Sequence, residues 1–453
     1  MRRPLLSAQP TLSLRTLLAY GGPSFAVAYL LFFVQFYFLK FSTDVLLLPP
    51  AAIGLVFALA KLWDAVSNPL VGSWSDRTRS RLGRRRPFLF AALPFLLAGF
   101  VMLWSPPEAL SGVPLTVWAA LALFAFHTAF AFYTIPHIAL GAELSRDPHE
   151  RTRLFGARQM SFTLGMLLAF GAIQVAMNAE APRAAAAELA MTTALLAVLV
   201  LAWTPLAVRE PARDGVAGGQ GLASGFRDVW TNAPARTLLV VWLIESAGVG
   251  AVGTLAPYIA EYLLLRPDVV GTLPAAYVLS GIATIPLWVR LSRRFGKRET
   301  WLAAMLLAAA AFGGMWFVGP GDVAPIMALL VVAGAAMGCG SVLSTSLMAD
   351  VIDLDEHRTG ERKEGIYSAA LMFAMKIGIA GATALSGFVL GAAGFVPNTV
   401  QSAESLLGIR VLFAGMPCVG FALGALLFWR ASFEAGRGRE PGGAADAVAN
   451  RRR

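Results

Sequence analysis

The sequence predicts an all-α membrane protein with twelve transmembrane helices. Its composition, its long apolar runs and its uneven distribution of basic residues support this fold class. Of 453 residues, 57% are hydrophobic and 14% are charged, and the mean hydropathy is +0.65. A soluble domain averages about 45–50% apolar and about 25% charged residues. The composition therefore excludes an ordinary soluble enzyme, and it also excludes disordered and disulfide-framework proteins.

Twelve apolar runs have the length of about 20 residues that a helix needs to cross a bilayer. They lie near 18–40, 51–74, 87–104, 115–142, 156–177, 191–208, 237–264, 272–291, 300–318, 325–348, 366–391 and 407–430. The polar segment 209–236 predicts a cytoplasmic linker between two six-helix bundles, residues 1–208 and 237–430. The Gly- and Arg-rich segment 431–453 predicts a disordered cytoplasmic tail.

The basic residues predict which loops face the cytoplasm. If both termini are inside, the cytoplasmic segments hold 31 of the 37 Lys and Arg residues and the outer loops hold four. Such an excess is typical of cytoplasmic loops, and it explains the net charge of +10 without a nucleic-acid partner. Arg greatly outnumbers Lys and Ala is abundant, which indicates a GC-rich genome and therefore a bacterial inner membrane.

The loop after the second run carries the most specific motif. Residues 72–77 read G-x-x-x-D-R, and residues 83–86 read G-R-R-R. A similar basic loop with one glycine, residues 290–298, follows the second run of the other half. Glycine permits a tight turn at these places. The two loops form a weak internal repeat, which supports the division into two halves.

This first loop resembles the helix 2–3 signature of the major facilitator superfamily. The preceding segment, residues 61–72, resembles helix II of the glycoside–pentoside–hexuronide:cation symporter family, the melibiose-permease-like proteins. Further similar segments follow in order along nearly the whole chain, at 135–144, 150–154, 158, 349–353, 362–365, 367–368, 376 and 394–403. The resemblance implies two six-helix bundles around a central cavity, transport by rocking of the halves, and function as a monomer.

Asp64 is the clearest candidate for a functional residue, because a charge inside a bilayer costs about 2.5–3.5 kcal/mol on insertion scales. The resemblance implies a cation-coupling site at Asp64, Ser67 and Asn68. The melibiose-permease-like members have a second carboxylate where this chain has Asn68, so a sodium site would be weakened. A buried Asp64 could instead carry a proton, or form only a local ion pair with Lys61. Both ions and uncoupled transport stay open, and no other cofactor is expected.

The sugar-binding carboxylates of the melibiose-permease-like members are replaced in this chain. The helix I carboxylate falls on Ala28, and the helix IV carboxylate falls on Thr134. The resemblance therefore gives no basis for a galactoside as the substrate. Polar side chains near these depths are candidate substrate contacts or helix–helix contacts, and they are Tyr29, Gln35, His127, Tyr133, Thr134 and His137.

Three further charged residues are candidates for a role inside the membrane. Lys376 lies midway along the eleventh run, too deep for easy snorkelling, and the family places a functional lysine there. It would pair with Asp64 or contact an anionic substrate. Arg158 resembles a family arginine that lines the cavity floor. Glu245 is outside the recognised motif and could be an extra proton-coupling group, a substrate acceptor or a helix–helix contact.

Charged residues at the cytoplasmic helix ends resemble an inner gate that pairs the two halves, although they could serve only as a topology signal. They are Asp76, Arg77, Glu143, Arg153, Asp350 and Asp353. Exposed pairs contribute about 0–1 kcal/mol each, but several together can bias a two-state equilibrium.

The sequence thus predicts secondary active transport of a sugar or glycoside, coupled to a proton or sodium. Two alternatives remain: symport of an amphipathic, lipid-like solute, which the more apolar cavity would suit, and an uncoupled facilitator or exporter of small solutes. An enzyme is not expected, because no nucleophile–base set or phosphate loop is found. Cys339 and Cys418 both lie in apolar runs, so neither a disulfide nor a Cys/His metal site is expected.

Overall fold

A computed structural model describes residues 12–145, 147–210, 227, 229–359 and 364–430. The regular elements of these residues are helices, and no strand occurs among them. The predicted tail, 431–453, and residues 211–226 and 228 of the predicted linker lie outside the described residues. The described part of the chain is all-α, as the sequence predicts.

The described residues of the first half contain seven α-helices, because the first apolar run is divided into a short and a long helix at Gly22. They are α1 (Leu14–Gly21), α2 (Pro23–Lys40), α3 (Pro50–Arg77), α4 (Arg86–Trp104), α5 (Gly112–Leu144), α6 (Pro148–Met177) and α7 (Pro182–Ala207). A π-helix, Phe41–Val45, continues α2. Proline begins several of these helices, where its missing N–H leaves no helical hydrogen bond unmade.

The second half also contains seven α-helices in the described residues. They are α8 (Ala233–Tyr258), α9 (Thr272–Phe295), α10 (Lys297–Met315), α11 (Val323–Thr359), α12 (Glu364–Ala392), α13 (Ala403–Arg410) and α14 (Met416–Arg430). A π-helix, Ile259–Leu263, continues α8, and a second one, Val411–Gly415, joins α13 to α14. A short 3-10 helix, Pro267–Val269, precedes α9.

Helices stand at all twelve predicted runs. In the described residues, 11 helical segments are long and apolar enough to cross a membrane. The remaining run corresponds to α10, whose first turn carries Lys297, Arg298 and Glu299 and lowers its mean hydropathy. At about 1.5 Å per residue, its 19 residues span about 28 Å, close to the hydrocarbon thickness of about 30 Å.

The loops lie at two ends of the molecule. The basic end carries loops 78–85 and 145–147, and the far end carries loops 46–49, 264–271 and 393–402. A carboxylate holds the first basic loop in place. Glu210, which follows α7, accepts the backbone N–H groups of three consecutive arginines at 2.6, 2.6 and 2.8 Å, and these are Arg84, Arg85 and Arg86.

The predicted repeat has a structural counterpart in two glycines. Gly83 stands in the loop between α3 and α4 with φ at 100°, and Gly296 joins α9 to α10 with φ at 91°. Side chains with a Cβ atom rarely adopt such angles. The second-to-third helix connection of each half therefore turns at a glycine, as the motifs predict.

The two halves meet mainly through α3 against α12 and α2 against α8. Glycines permit a close approach along both contacts. A Cβ atom on Gly54 would lie 2.9 Å from Cα of Gly387, and one on Gly253 would lie 2.8 Å from the ring of Phe36. The hydrogen bonds and ion pairs that the structure describes between the halves lie in the membrane interior and at the far end.

Candidate functional site

An ion pair joins the two halves in the middle of the membrane-spanning region. Nζ of Lys376, midway along α12, donates to Oδ2 of Asp64, midway along α3, at 2.7 Å. The Asp64 and Lys376 side chains are 11% and 22% exposed. Each charge offsets the cost of burying the other, and a change in either alters the contact between the halves.

Asn68 lies one turn beyond Asp64 and contacts both members of the pair. With its amide oriented to match its neighbours, it donates to Oδ1 of Asp64 at 3.2 Å and its oxygen accepts from Lys376. The Ser67 hydroxyl donates to the backbone carbonyl of Asp64 at 3.2 Å. The three predicted coupling residues are therefore adjacent, and the ammonium group of Lys376 contacts the oxygen atoms of Asp64 and Asn68 that a small cation would use.

Lys61 does not form the local ion pair with Asp64 that the sequence allowed. Asp64 pairs across the interface with Lys376 instead, and the buried Lys61 ammonium lies 5.5 Å from the centre of the Phe57 ring. His127 of α5 faces the same ring and is 1% exposed, and neither of its ring nitrogens has a hydrogen-bond partner in the part of the chain that the structure describes. Among the described residues, this region thus contains the buried Lys61, the partly exposed Lys376 and the Asp64 carboxylate.

Arg158 lies on α6, near Tyr20 and His137. It is half-buried, and its Nε has no hydrogen-bond partner among the described residues. His137, on α5, stacks on the Tyr20 ring at 4.6 Å between ring centres and bonds to the Tyr20 carbonyl. Because His127 and His137 are ten residues apart on one helix, Arg158 is about 15 Å nearer the basic end than Lys61.

Tyr29 and Thr134 have partners inside the first half. The Tyr29 hydroxyl accepts from Thr193 of α7 at 3.2 Å, and its ring stacks on Phe33. The Thr134 hydroxyl donates to the carbonyl of Phe130, one turn earlier on α5. These contacts give both side chains a place in the packing of the half, and their predicted part in substrate binding stays a prediction.

Glu245 lies on α8 and has no contact with the Asp64–Lys376 pair among the described hydrogen bonds and ion pairs. Its Oε1 accepts from the indole N–H of Trp301 at 2.8 Å, and the residue is 5% exposed. It lines a cavity of about 180 Å³ between α8, α11 and α12, together with Ser246, Met337 and Met375. The second half therefore holds its own buried carboxyl group.

The predicted gate residues of the first half pair within that half. Asp76 and Glu143 both contact the Arg85 guanidinium, Glu143 at 2.9 Å. Arg153 pairs with Glu150, three residues earlier on α6, at 2.7 Å. The Arg85 contacts join the basic ends of α3 and α5, and the Arg153 pair lies within α6.

Asp350 of the second half likewise pairs inside its own half, with Lys297 of α10 at 2.6 Å. Arg77 and Asp353 are exposed at the basic end. Among the described residues, no gate residue pairs with the other half. Pairing of the gate residues between the halves stays a prediction.

Sequence reasoning missed a polar network that joins the halves at the far end. Lys40 pairs with Asp44 and, at 2.9 Å, with Glu261 of the second half. The Tyr262 hydroxyl donates to Asp44, and the Asn398 amide donates to the Asp44 carbonyl at 2.8 Å. Lys40 and Asp44 are 3% and 7% exposed, so the part of the network from the first half is buried, whereas the Glu261 side chain is 30% exposed.

Two π-helices contain carboxylates of this network. Asp44 lies in Phe41–Val45 and Glu261 in Ile259–Leu263, each of which continues the first long helix of its half. Thr43 and Tyr258 add a hydrogen bond of 2.8 Å between the halves. The one sequence signal was the i, i+4 spacing of Lys40 and Asp44 at the end of an apolar run. The partners from the second half left no signal.

The chain is similar to known transporters over nearly its whole length. A family model described as MFS/sugar transport protein matches residues 19–435. The glucuronide carrier protein homolog of Escherichia coli (strain K12) is 24% identical, over 92% of each chain. The isoprimeverose transporter of Lactiplantibacillus pentosus is 27% identical, over 88% of this chain and 84% of the relative.

The fold agrees with these matches. The crystal structure of the nucleoside transporter NupG superposes with a TM-score of 0.67 at 12% identity, over 92% of this chain and 100% of NupG. The helical halves, the charged pair between them and the family match lead to one conclusion: this chain belongs to the MFS/sugar transport protein family and is a multi-pass membrane transporter, not an enzyme.

Proposed function

We propose that this protein is a symporter that takes up a sugar derivative with an anionic group, together with a proton or a sodium ion. The Asp64–Lys376 ion pair carries the proposal, because it joins the two halves midway across the membrane. Relatives named for a glucuronide and for isoprimeverose support a sugar-like substrate.

The charge balance inside the first half and at the interface favours an anionic substrate. Lys61, Lys376 and Arg158 bring three positive charges, and Asp64 brings one negative charge. The positive charges outnumber the negative charge, so an anionic group that contacts Lys376 or Arg158 would be stabilised by charge-assisted hydrogen bonds. Carboxylates that would accept hydrogen bonds from a neutral sugar are absent at Ala28 and Thr134.

Coupling follows from competition for Lys376. A proton or sodium ion on Asp64 neutralises the carboxylate and releases the Lys376 ammonium, which then binds the anionic group of the substrate. Cation and substrate therefore strengthen each other's binding, as reciprocal coupling requires. Ser67 and Asn68 would supply the neutral oxygens of a sodium site after Lys376 has moved.

Alternating access is the transport mechanism that fits the contacts between the halves. The two halves form hydrogen bonds with each other at the far end and in the interior, while the gate residues at the basic end pair within their own halves. We assign the basic end to the bacterial cytoplasm, with both termini there, because of the positive-inside bias. The structure then corresponds to an inward-facing state of a monomer.

The test is uptake into proteoliposomes of two labelled probes that differ in one group, glucose and glucuronate. An inward proton or sodium gradient is imposed, and wild type is compared with Asp64→Asn, Lys376→Gln and the control Ser73→Ala on the same helix. We expect gradient-driven accumulation of glucuronate above glucose. We expect Asp64→Asn to lose the accumulation and Lys376→Gln to lose the preference.

The outcomes separate the alternatives. Equal uptake of both probes contradicts the anionic substrate but keeps a sugar transporter. Accumulation that Asp64→Asn leaves intact contradicts coupling at this residue. If sound protein takes up neither probe under either gradient, the sugar proposal fails, and lipid-like solutes are tested next.

A further inference from the structure

Glu245 is a buried carboxyl group that the coupling mechanism above does not use. Its one described hydrogen bond is the contact from Trp301 of α10 to Oε1, at 2.8 Å. Its other oxygen, Oε2, would lie 2.7 Å from a Cβ atom on Gly340 of α11. Because residue 340 is a glycine, there is space for this carboxyl group, and a larger residue at position 340 would displace it.

No cation compensates this carboxyl group among the described residues. The charge of this carboxyl group acts on Tyr277 of α9 and Cys339 of α11, and neither is positively charged at neutral pH. The nearest lysine along α12 is Lys376, next to the cavity-lining Met375, and it pairs with Asp64.

The two interior carboxyl groups are thus compensated differently. Asp64 has an ammonium partner, whereas Glu245 has an indole N–H and an apolar cavity. The effective penalty for an uncompensated buried ion is several kcal/mol, and binding a proton removes the charge. Glu245 lines the cavity between α8, α11 and α12, so a proton can approach its carboxyl group from that cavity.

We propose that Glu245 binds a proton and carries it across the membrane in each transport cycle, independently of the cation at Asp64. The proton comes from hydronium on the entry side, which leaves water, and the carboxylic acid returns it to water on the exit side. This inference deepens the proposed function and rests on it for the transport step. Each substrate molecule then crosses with one positive charge more than coupling at Asp64 provides.

Proton binding is tested first and without any substrate. Infrared difference spectra of the purified protein, recorded between acidic and alkaline pH, report the carbonyl band of protonated carboxyl groups. We expect one such band to be lost in Glu245→Gln and kept in Glu404→Gln, a control at an exposed glutamate on α13. Glutamine keeps the oxygen that accepts from Trp301, so a purely structural role would leave transport unchanged. Identical spectra for wild type and Glu245→Gln overturn the proposal.

The transport step is tested by counting protons taken up per labelled glucuronate, with a pH-sensitive dye inside proteoliposomes. We expect Glu245→Gln to lower the ratio by one while exchange of labelled for unlabelled glucuronate continues. An unchanged ratio overturns proton transport by Glu245. A wild type that does not exchange glucuronate contradicts the proposed substrate instead, and the infrared result still decides proton binding.

Discussion

At the residue scale, the charges of Asp64 and Lys376 depend on each other more than on their helices. They are 312 positions apart in the chain and bond at 2.7 Å across the interface. Removing one partner of a buried ion pair leaves the other uncompensated and costs about 3–5 kcal/mol, whereas removing both is often nearly neutral.

This dependence predicts the order of stability among three variants. We expect Asp64→Asn and Lys376→Gln each to lower the thermal unfolding temperature in detergent, and the double variant to recover part of the loss. Tryptophan fluorescence during a temperature ramp measures it. A double variant that falls by the sum of the single losses would contradict the interaction.

The second prediction at the residue scale concerns Asn68. Asn68→Asp restores a carboxylate one turn from Asp64, where its oxygen already contacts the Lys376 ammonium. Two carboxylates attract a hard cation more strongly than one, so we expect uptake to become more dependent on sodium. Uptake against sodium concentration measures it, with Ser73→Asp on the same helix as the control. An equal response in both variants would count against a cation site at Asp64.

At the element scale, the contact between α3 and α12 depends on glycine. A Cβ atom on Gly387 would lie 2.5 Å from the Pro50 carbonyl and 2.7 Å from Cα of Gly54, and these are backbone atoms that cannot rotate away. Gly381, two turns earlier on α12, has open space around its Cβ position. The two glycines therefore form a matched pair for testing the interface.

We expect Gly387→Ala to force the far ends of α3 and α12 apart and to disfavour this state, while Gly381→Ala leaves it unchanged. The measurement is labelling of Thr43→Cys by a membrane-impermeant maleimide, in protein whose two native cysteines are replaced by alanine. Thr43 is fully buried at the far end. Faster labelling in Gly387→Ala supports this account, and equal rates in both alanine variants would refute it.

At the scale of the whole molecule, the far-end network stabilises one arrangement of the two halves. Lys40 bonds to Glu261 across the interface at 2.9 Å, and hydrogen bonds to charged groups contribute about 1.5–3 kcal/mol. A difference of about 1.4 kcal/mol changes a population ratio tenfold. The network can therefore decide which side of the transporter is open.

We expect Glu261→Gln to open the far end in a larger fraction of molecules. Spin labels at Leu47 and Val400, exposed residues in the far-end loops of the two halves, report the separation by pulsed electron resonance. The control is Asp268→Asn, which removes an exposed pair with Arg266 inside one loop. A distance distribution that is the same in both variants would rule out a gating role for Glu261.

The helices and several of the charged residues inside them could be predicted from the amino-acid sequence. A helix needs about 20 apolar residues to cross a bilayer, so the pattern of apolar residues along the chain located all twelve runs. Charges are expensive there, so Asp64, Lys376 and Glu245 stood out as candidates without any structure. The glycines of the two basic loops were predictable because a tight turn needs them.

Which of these groups come into contact depends on how the helices pack. Asp64 had Lys61 one turn away, yet it pairs with Lys376, because the packing of α3 on α12 brings that ammonium to its carboxylate. The far-end network, whose partners come from the other half, was equally unpredictable. Local periodicity determines which face a residue takes on its own helix, but a partner hundreds of residues away depends on how the helices pack.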